Sequence, residues 1–91
     1  MLNPNSQEQI MNQVKLYSRK WCGWCLDAKE YLQARGIPFT EIDVGKNPAE
    51  DAEMRRLSGQ GYVPTIVIDG KVLANFDIER LEQFLKQFNA D

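Results

Sequence analysis

The sequence predicts a single α/β domain in which helices flank a four-stranded mixed sheet. Strand-like and helix-like periodicities follow one another in the order β-α-β-α-β-β-α. A helix joins the first two strands, which should therefore be parallel, and Asp69-Gly70 marks a tight turn that makes the last two antiparallel. With 91 residues, of which 43% are apolar, the chain can bury one core of modest size. We expect the folded domain at residues 13–91, behind a polar N-terminal extension at residues 1–12.

The first predicted strand and helix lie on either side of the two cysteines. Residues 14–18 alternate like a strand, whereas residues 23–35 show helical period and are stopped by Gly36. The apolar stripe of this helix is predicted to consist of Cys25, Ala28 and Leu32.

The second strand is predicted at residues 39–44, and a second helix begins after it at Asn47-Pro48. Asn47 offers an N-cap side chain, and proline is well suited to the first helical position. The apolar positions assigned to this helix are Ala49, Ala52 and Leu57.

The last third of the chain predicts a hairpin followed by a helix. Residues 65–68 form a nearly unbroken apolar run, which indicates a central strand that is buried on both faces. The turn at Asp69-Gly70 leads into a strand at residues 71–75, and Asp77 can cap the final helix. The apolar stripe of that helix is predicted to consist of Ile78, Leu81, Phe84, Leu85 and Phe88.

Composition excludes several classes of function. The net charge of −2 gives no reason to expect a nucleic acid or membrane partner, and no apolar run approaches the roughly 20 residues that span a bilayer. The start of the chain lacks the basic and apolar regions of a signal peptide, so we expect a cytoplasmic protein, and we expect it to be a monomer. Because there is no histidine, catalytic triads that use it and His-ligated metal sites are excluded.

Both cysteines lie in the stretch Trp21-Cys22-Gly23-Trp24-Cys25, where the first strand turns into the first helix. Two thiols at this spacing indicate redox chemistry, although a metal half-site or a structural disulfide remain alternatives. Cys22 is expected at the helix N-terminus, where backbone N–H groups favour a thiolate, and Arg19 and Lys20 add positive charge. Cysteines in such settings have pKa values of about 3.5–7.5, so Cys22 is the expected nucleophile. Cys25, one turn further along the apolar stripe, is the expected resolving thiol.

Four features of the chain resemble the glutaredoxin branch of the thioredoxin superfamily, in its dithiol type. They are Tyr17-Ser18-Arg19, the motif Cys22-Gly23-Trp24-Cys25, Tyr62-Val63-Pro64 before a strand, and Ile68-Asp69-Gly70 at the hairpin. The resemblance covers about residues 13–88. It implies the thioredoxin/glutaredoxin fold and thiol-disulfide oxidoreductase activity on disulfide-containing or glutathionylated proteins. It also implies glutathione as a co-substrate and no tightly bound cofactor.

The resemblance further implies a binding site beside Cys22. Arg19 stands where glutaredoxins have a lysine that helps to bind a glutathione carboxylate, and Gln60 matches a glutamine that contacts glutathione in some members. Pro64 is expected to be cis, and the backbone of Val63 to pair with bound peptide or glutathione. The other predicted binding residues are Trp24, Tyr62, Asn75, Phe76 and Asp77.

Two departures from the family pattern leave the partners open. Ala74-Asn75 replaces a pair of glycines, so that Asn75 would supply any positive φ, and Phe76 is expected to crowd the γ-glutamyl pocket. An aromatic residue there is more typical of thioredoxin-like glutaredoxins that a flavin enzyme, thioredoxin reductase, reduces and that serve ribonucleotide reductase. Gly23-Trp24 replaces the common Pro-Tyr and resembles glutaredoxins in which two subunits and glutathione hold a 2Fe–2S cluster. In that case Cys22 would be a metal ligand; otherwise we expect no metal site.

Overall fold

The computed structural model describes residues 11–88 and confirms the predicted order of elements. The strands are β1 (Val14–Ser18), β2 (Thr40–Asp43), β3 (Thr65–Ile68) and β4 (Lys71–Ala74). The helices are α1 (Gly23–Ala34), α2 (Pro48–Ser58) and α3 (Ile78–Lys86). Residues 1–10 of the predicted N-terminal extension lie outside the described residues. Within residues 11–88, no helix combines the length and the apolar character needed to cross a bilayer.

The four strands form one mixed sheet in the order β2-β1-β3-β4. β1 is parallel to β2 and antiparallel to β3, and β3 is antiparallel to β4, as the sequence predicts. All four residues of β3 are buried, which confirms the central strand that the apolar run at residues 65–68 indicated.

Strand direction brings three loops to one end of the sheet. Ser18 at the end of β1 pairs with Asp43 at the end of β2, and Thr65 at the start of β3 pairs with both Tyr17 and Ala74. The loops that follow or precede these residues therefore lie at the same end. We call it the cysteine end, formed by residues 19–22, 60–64 and 75–77.

The two faces of the sheet are covered unequally. On one face, α1 and α3 pack over a large buried cluster; on the other, α2 packs over a small one. The larger cluster consists of Val14, Leu16, Ala28, Leu32, Ile66, Ile68, Phe76, Leu81, Leu85 and Phe88. The smaller one consists of Tyr17, Val44, Met54 and Val67. We refer to these as the α1/α3 face and the α2 face.

The predicted apolar face of α2 needs a correction. Ala49 and Ala52 are exposed, and Leu57 is half-buried, whereas the fully buried residue of this helix is Met54. Asn47 is the N-cap residue of α2, but its side chain makes no capping hydrogen bond, and its Nδ2 donates to the carbonyl of Asp43 at 3.1 Å. A short helix with a single buried side chain therefore depends on contacts beyond its apolar face.

Other local signals are confirmed, and some ends move by a residue or two. The turn residues Asp69 and Gly70 have φ values of 50° and 88°, which Asp and Gly tolerate. Asp77 caps α3 through a hydrogen bond from the N–H of Arg80 to its Oδ1 at 2.9 Å. The second strand, predicted at residues 39–44, is confined to Thr40–Asp43.

Candidate active site

Cys22 is the N-cap residue of α1. Its backbone is extended, with φ −107° and ψ 103°, and its Sγ accepts a hydrogen bond from the N–H of Cys25 at 3.1 Å. An N–H group and the positive end of the helix dipole thus point at this sulfur. The first turn of α1 carries no acidic side chain that would compete with a thiolate for this position. The local geometry is therefore suited to negative charge on Cys22.

The two cysteines differ sharply in exposure. They are joined in a disulfide with their Cα atoms 5.2 Å apart, so the structure represents the oxidised protein. Cys22 is half-buried, while Cys25 is only 2% exposed and lies on the buried stripe of α1 with Ala28 and Leu32. A partner from solution can therefore reach the sulfur of Cys22 far more easily than that of Cys25.

The loop before β3 contains a cis peptide bond between Val63 and Pro64, as expected. The carbonyl of Pro64 accepts a hydrogen bond from the N–H of Asn75 at 2.8 Å, which joins two loops of the cysteine end. Among residues 11–88, no hydrogen-bond partner is found for the backbone N–H or C=O of Val63. These groups remain open to a bound chain.

Arg19 links this loop to α2. Its Nη2 donates to Oδ1 of Asp51 at 3.3 Å and to the carbonyl of Gly61 at 3.1 Å. The carboxylate of Asp51 also accepts from Nε of Arg55 at 2.9 Å. The side chains of Arg19 and Asp51 keep 35% and 26% of their surface exposed, so solvent weakens the pair. Arg19 therefore lies near Cys22, but its guanidinium group already binds partners within the protein. Its predicted role in binding a glutathione carboxylate stays a prediction.

A hollow of about 280 Å³ lies beside Trp24 at the start of α3. It is lined by Trp24, Asn75, Phe76, Asp77 and Arg80. Asn75 has a φ of 54°, in agreement with the expected positive φ. Phe76 is only 3% exposed and belongs to the larger buried cluster. Phe76 thus lines the hollow while most of its side chain packs in the core, and the expected crowding of a γ-glutamyl pocket stays a prediction.

A second hollow, of about 400 Å³, adjoins both cysteines. Three polar side chains on its wall contact one another: Oε2 of Glu41 accepts a hydrogen bond from Oγ of Ser18 at 2.8 Å and lies 3.2 Å from Nζ of Lys29. The sequence did not predict this cluster. Asp51 and Arg80 were also missed. No local pattern marks such residues, because their partners come from other elements of the fold.

Large exposed side chains surround Cys22. Trp21, Trp24 and Tyr62 are 98%, 62% and 66% exposed. Trp21 also has a φ of 62°, a left-handed conformation that costs a residue with a side chain about 1–2 kcal/mol. Two exposed tryptophans and a tyrosine at one end of a small domain form a surface suited to contact with another molecule.

Comparison with known proteins identifies the family. The family model for glutaredoxin matches residues 14–73. A glutaredoxin-like 8.6 kDa protein from the rubredoxin operon of Clostridium pasteurianum is 36% identical over 74 residues, covering 81% of this chain and 99% of that protein. Glutaredoxin 3 of Escherichia coli is 34% identical over 67 residues, covering 74% of this chain and 81% of its own length.

Solved structures agree with this assignment. A thioredoxin-like protein superposes with a TM-score of 0.74 at 34% identity, covering 80% of this chain and all of that one. The glutaredoxin-like protein NrdH-redoxin from Escherichia coli, whose activity profile is described as thioredoxin-like, superposes with a TM-score of 0.66 at 25% identity, covering 78% and 92%. With its fold and its Cys22–Cys25 pair, the chain belongs to the glutaredoxin family of thiol-disulfide oxidoreductases.

Proposed function

We propose that the chain reduces disulfide bonds of proteins or of glutathione-mixed substrates by two successive exchanges between Cys22 and Cys25. The Cys22 thiolate attacks one sulfur of the substrate disulfide, forms a mixed disulfide with that half, and releases the other half as a thiolate. Cys25 then loses its proton and attacks the sulfur of Cys22, which releases the second half as a thiolate. The substrate gains two electrons, and the protein is left with the Cys22–Cys25 disulfide.

The observation that carries this proposal is the asymmetry of the pair. Cys22 is reachable and accepts an N–H bond at a helix N-terminus, while its disulfide partner is almost completely buried. A buried resolving thiol escapes reaction with solutes, yet needs no movement of the backbone to reach Cys22, since the two Cα atoms are 5.2 Å apart.

We propose that substrate binds across the cysteine end. An extended peptide or glutathione would pair with the open backbone of Val63 beside Pro64, and the hollow between Trp24 and Asp77 would take the γ-glutamyl group. The N-terminus of α3 in that hollow favours a carboxylate. Because the cycle requires a supply of thiols, we propose that the protein acts in the cytoplasm. We also propose that it acts as a monomer, since both cysteines of the exchange belong to one chain.

Replacing either cysteine tests the exchange mechanism. Cys22→Ser should abolish reduction of every disulfide substrate, because it removes the nucleophile. Cys25→Ser should keep part of the activity on a glutathionylated peptide if free glutathione can release the mixed disulfide. The measurement is release of peptide thiol over time; full activity of Cys22→Ser would refute the mechanism.

Glutathione is the proposed reductant, in keeping with the family. A flavin enzyme such as thioredoxin reductase is a second candidate, which the likeness to NrdH-redoxin and the exposed Trp21 favour; a target such as ribonucleotide reductase would accompany it. A paired NADPH-oxidation assay separates them, with glutathione and glutathione reductase in one arm and thioredoxin reductase in the other. Failure of both arms would contradict the reductase function.

The cluster-binding alternative requires ligands from outside the chain. A 2Fe–2S cluster has four thiolate ligands, and Cys25 is too buried to serve beside Cys22. A second copy of the chain and two glutathione thiolates would have to complete the set. This alternative stays a prediction from the sequence, and visible absorption after anaerobic preparation with glutathione is its test.

A further inference from the structure

The carbonyl and the amino group of the half-buried Gln60 side chain both make hydrogen bonds within the protein. Its Oε1 accepts from the N–H of Tyr62 at 2.8 Å. Its Nε2 donates to Oγ of Ser58 at 2.9 Å and to Oγ1 of Thr65 at 3.2 Å. A carboxamide has two N–H donors. Both are therefore used within the protein.

The two hydroxyls that receive these bonds are fixed in turn. Oγ of Ser58 donates to the carbonyl of Met54 at 2.7 Å, and Oγ1 of Thr65 donates to the carbonyl of Tyr62 at 2.9 Å. Oγ1 of Thr65 accepts one bond from Gln60. Oγ of Ser58 accepts from Nε2 of Gln60 and from its backbone N–H at 3.4 Å, and it also lies 3.0 Å from the Gln60 carbonyl. Ser58 is the last residue of α2, and Thr65 is the first of β3. The network thus joins the two ends of the loop that presents Val63.

The same network fixes both backbone groups of Tyr62, its N–H through Gln60 and its C=O through Thr65. Pro64 is held on the other side of Val63 by the N–H of Asn75. Val63 therefore stands between two anchored neighbours with its own backbone groups unpaired among the described residues. Loss of an anchor should let these groups turn away from an incoming chain.

We propose that Gln60 is a positioning residue, which favours peptide substrates by fixing the backbone of Tyr62 and Val63 and does not bind them directly. The proposal rests on the proposed function, since it takes Val63 as the substrate-pairing residue. It differs from a direct contact between Gln60 and glutathione in one consequence. Thr65 is 0% exposed and cannot touch a substrate, yet it should matter in the same way as Gln60.

The first test uses Thr65→Val, which removes the hydroxyl and keeps a β-branched side chain. The fully reduced protein is mixed with a glutathionylated peptide or with bis(2-hydroxyethyl) disulfide, which has no peptide backbone. The half-saturating peptide concentration should rise roughly tenfold, and the rate with the small disulfide should stay within about twofold of wild type. If the reaction with both substrates weakened to the same extent, the cause would be damaged folding, and the proposal would be overturned.

The second test compares Gln60→Ala with Gln60→Glu on the same peptide. Glutamate keeps an acceptor for the N–H of Tyr62, which alanine removes, so Gln60→Glu should be the milder change. If Gln60 bound a glutathione carboxylate, the added negative charge would make Gln60→Glu the more harmful change. That result, or an unchanged peptide affinity in Thr65→Val, would overturn the proposal.

The double variant with Gln60→Ala and Thr65→Val completes the test. Because both residues act through one network, the double variant should bind peptide about as weakly as either single variant. Fully additive losses would argue against a shared role. Wild-type protein that fails to react with either disulfide would instead refute the proposed function, before any variant is compared.

Discussion

The two faces of the sheet are stabilised by different means. On the α1/α3 face, two helices cover a continuous apolar cluster that includes Leu16, Leu32 and Leu81, each with no exposed surface. On the α2 face, one helix contributes a single fully buried side chain, Met54. There, polar contacts join α2 and the loop that follows it to the rest of the domain, through Arg19 in particular.

This difference corresponds to a division of tasks at the cysteine end. Cys22 begins a helix of the α1/α3 face, where any displacement would open a void in close-packed apolar surface. The loop with Val63 follows the helix of the α2 face. Val63 packs against the smaller cluster, and the loop is otherwise held by hydrogen bonds, each worth only about 1 kcal/mol net. The nucleophile is thus placed mainly by apolar packing, whereas the loop that we propose to pair with substrate is placed mainly by a hydrogen-bond network.

The largest expected effect comes from truncating one buried side chain on each face. Leu32→Ala should lower the free energy of unfolding by about 3–4 kcal/mol, because the surrounding cluster cannot collapse into the cavity. Met54→Ala should cost about 2 kcal/mol, because half-buried neighbours such as Leu57 can move inward. Urea unfolding at pH 7 measures both. An equal or larger loss in Met54→Ala would remove the proposed contrast between the faces.

A smaller effect, of opposite sign, is expected at Tyr17 on the α2 face. Its ring has no exposed surface, and its hydroxyl is buried without a hydrogen-bond partner among residues 11–88. Tyr17→Phe keeps the ring and removes the unpaired group, so it should raise the free energy of unfolding by about 1 kcal/mol. Urea unfolding at pH 7 is again the measurement. A loss of stability would mean that the hydroxyl has a polar partner in solution.

The same residue predicts a dependence on alkaline pH. Burial raises the pKa of Tyr17 above its usual value of 10, and the carboxylates of Glu50 and Glu53 raise it further. Above pH 10 the unfolded chain therefore loses this proton before the folded chain does, and stability falls as pH rises. Unfolding between pH 9 and pH 11 should show a shallower fall for Tyr17→Phe than for wild type. Identical slopes would contradict this assignment.

The smallest effect is expected at the ion pair of the α2 face. Asp51→Asn removes the charge that faces Arg19 and Arg55, and partly exposed pairs contribute about 0–1 kcal/mol. The loss should shrink in about 1 M salt because screening already weakens the pair in wild type. Urea unfolding at low and high salt measures it. A loss as large as that of Met54→Ala would show that charge, and not Met54, holds α2 in place.

Local patterns in the sequence predicted most of the fold because local physics determines those features. The apolar run at residues 65–68, the turn at Asp69-Gly70 and the cap at Asp77 each depend on residues close in the chain. The apolar face of α2 was mispredicted because two alanines fit a helical stripe as well as Met54 does. Which stripe is buried depends on the sheet surface that the helix meets.

The site was predicted less completely than the fold, for a similar reason. The positions of Cys22, Cys25 and the cis bond at Pro64 follow from a motif and its setting. The contacts of Arg19 with Asp51, 32 residues away, leave no trace in a local pattern. The burial of Phe76 likewise depends on the helices around it, so no local pattern in the sequence predicted that it would join the core.

The placement of the tryptophans has an optical consequence. The chain has two tryptophans, and both adjoin the Cys22–Cys25 pair with most of their surface in water. Because disulfides quench indole emission at short range, opening the pair should brighten the whole intrinsic fluorescence of the protein, with no distant indole to dilute the signal. The molecule thus reports its own redox state without a label. Oxidation and reduction of the cysteine pair can therefore be followed by tryptophan fluorescence.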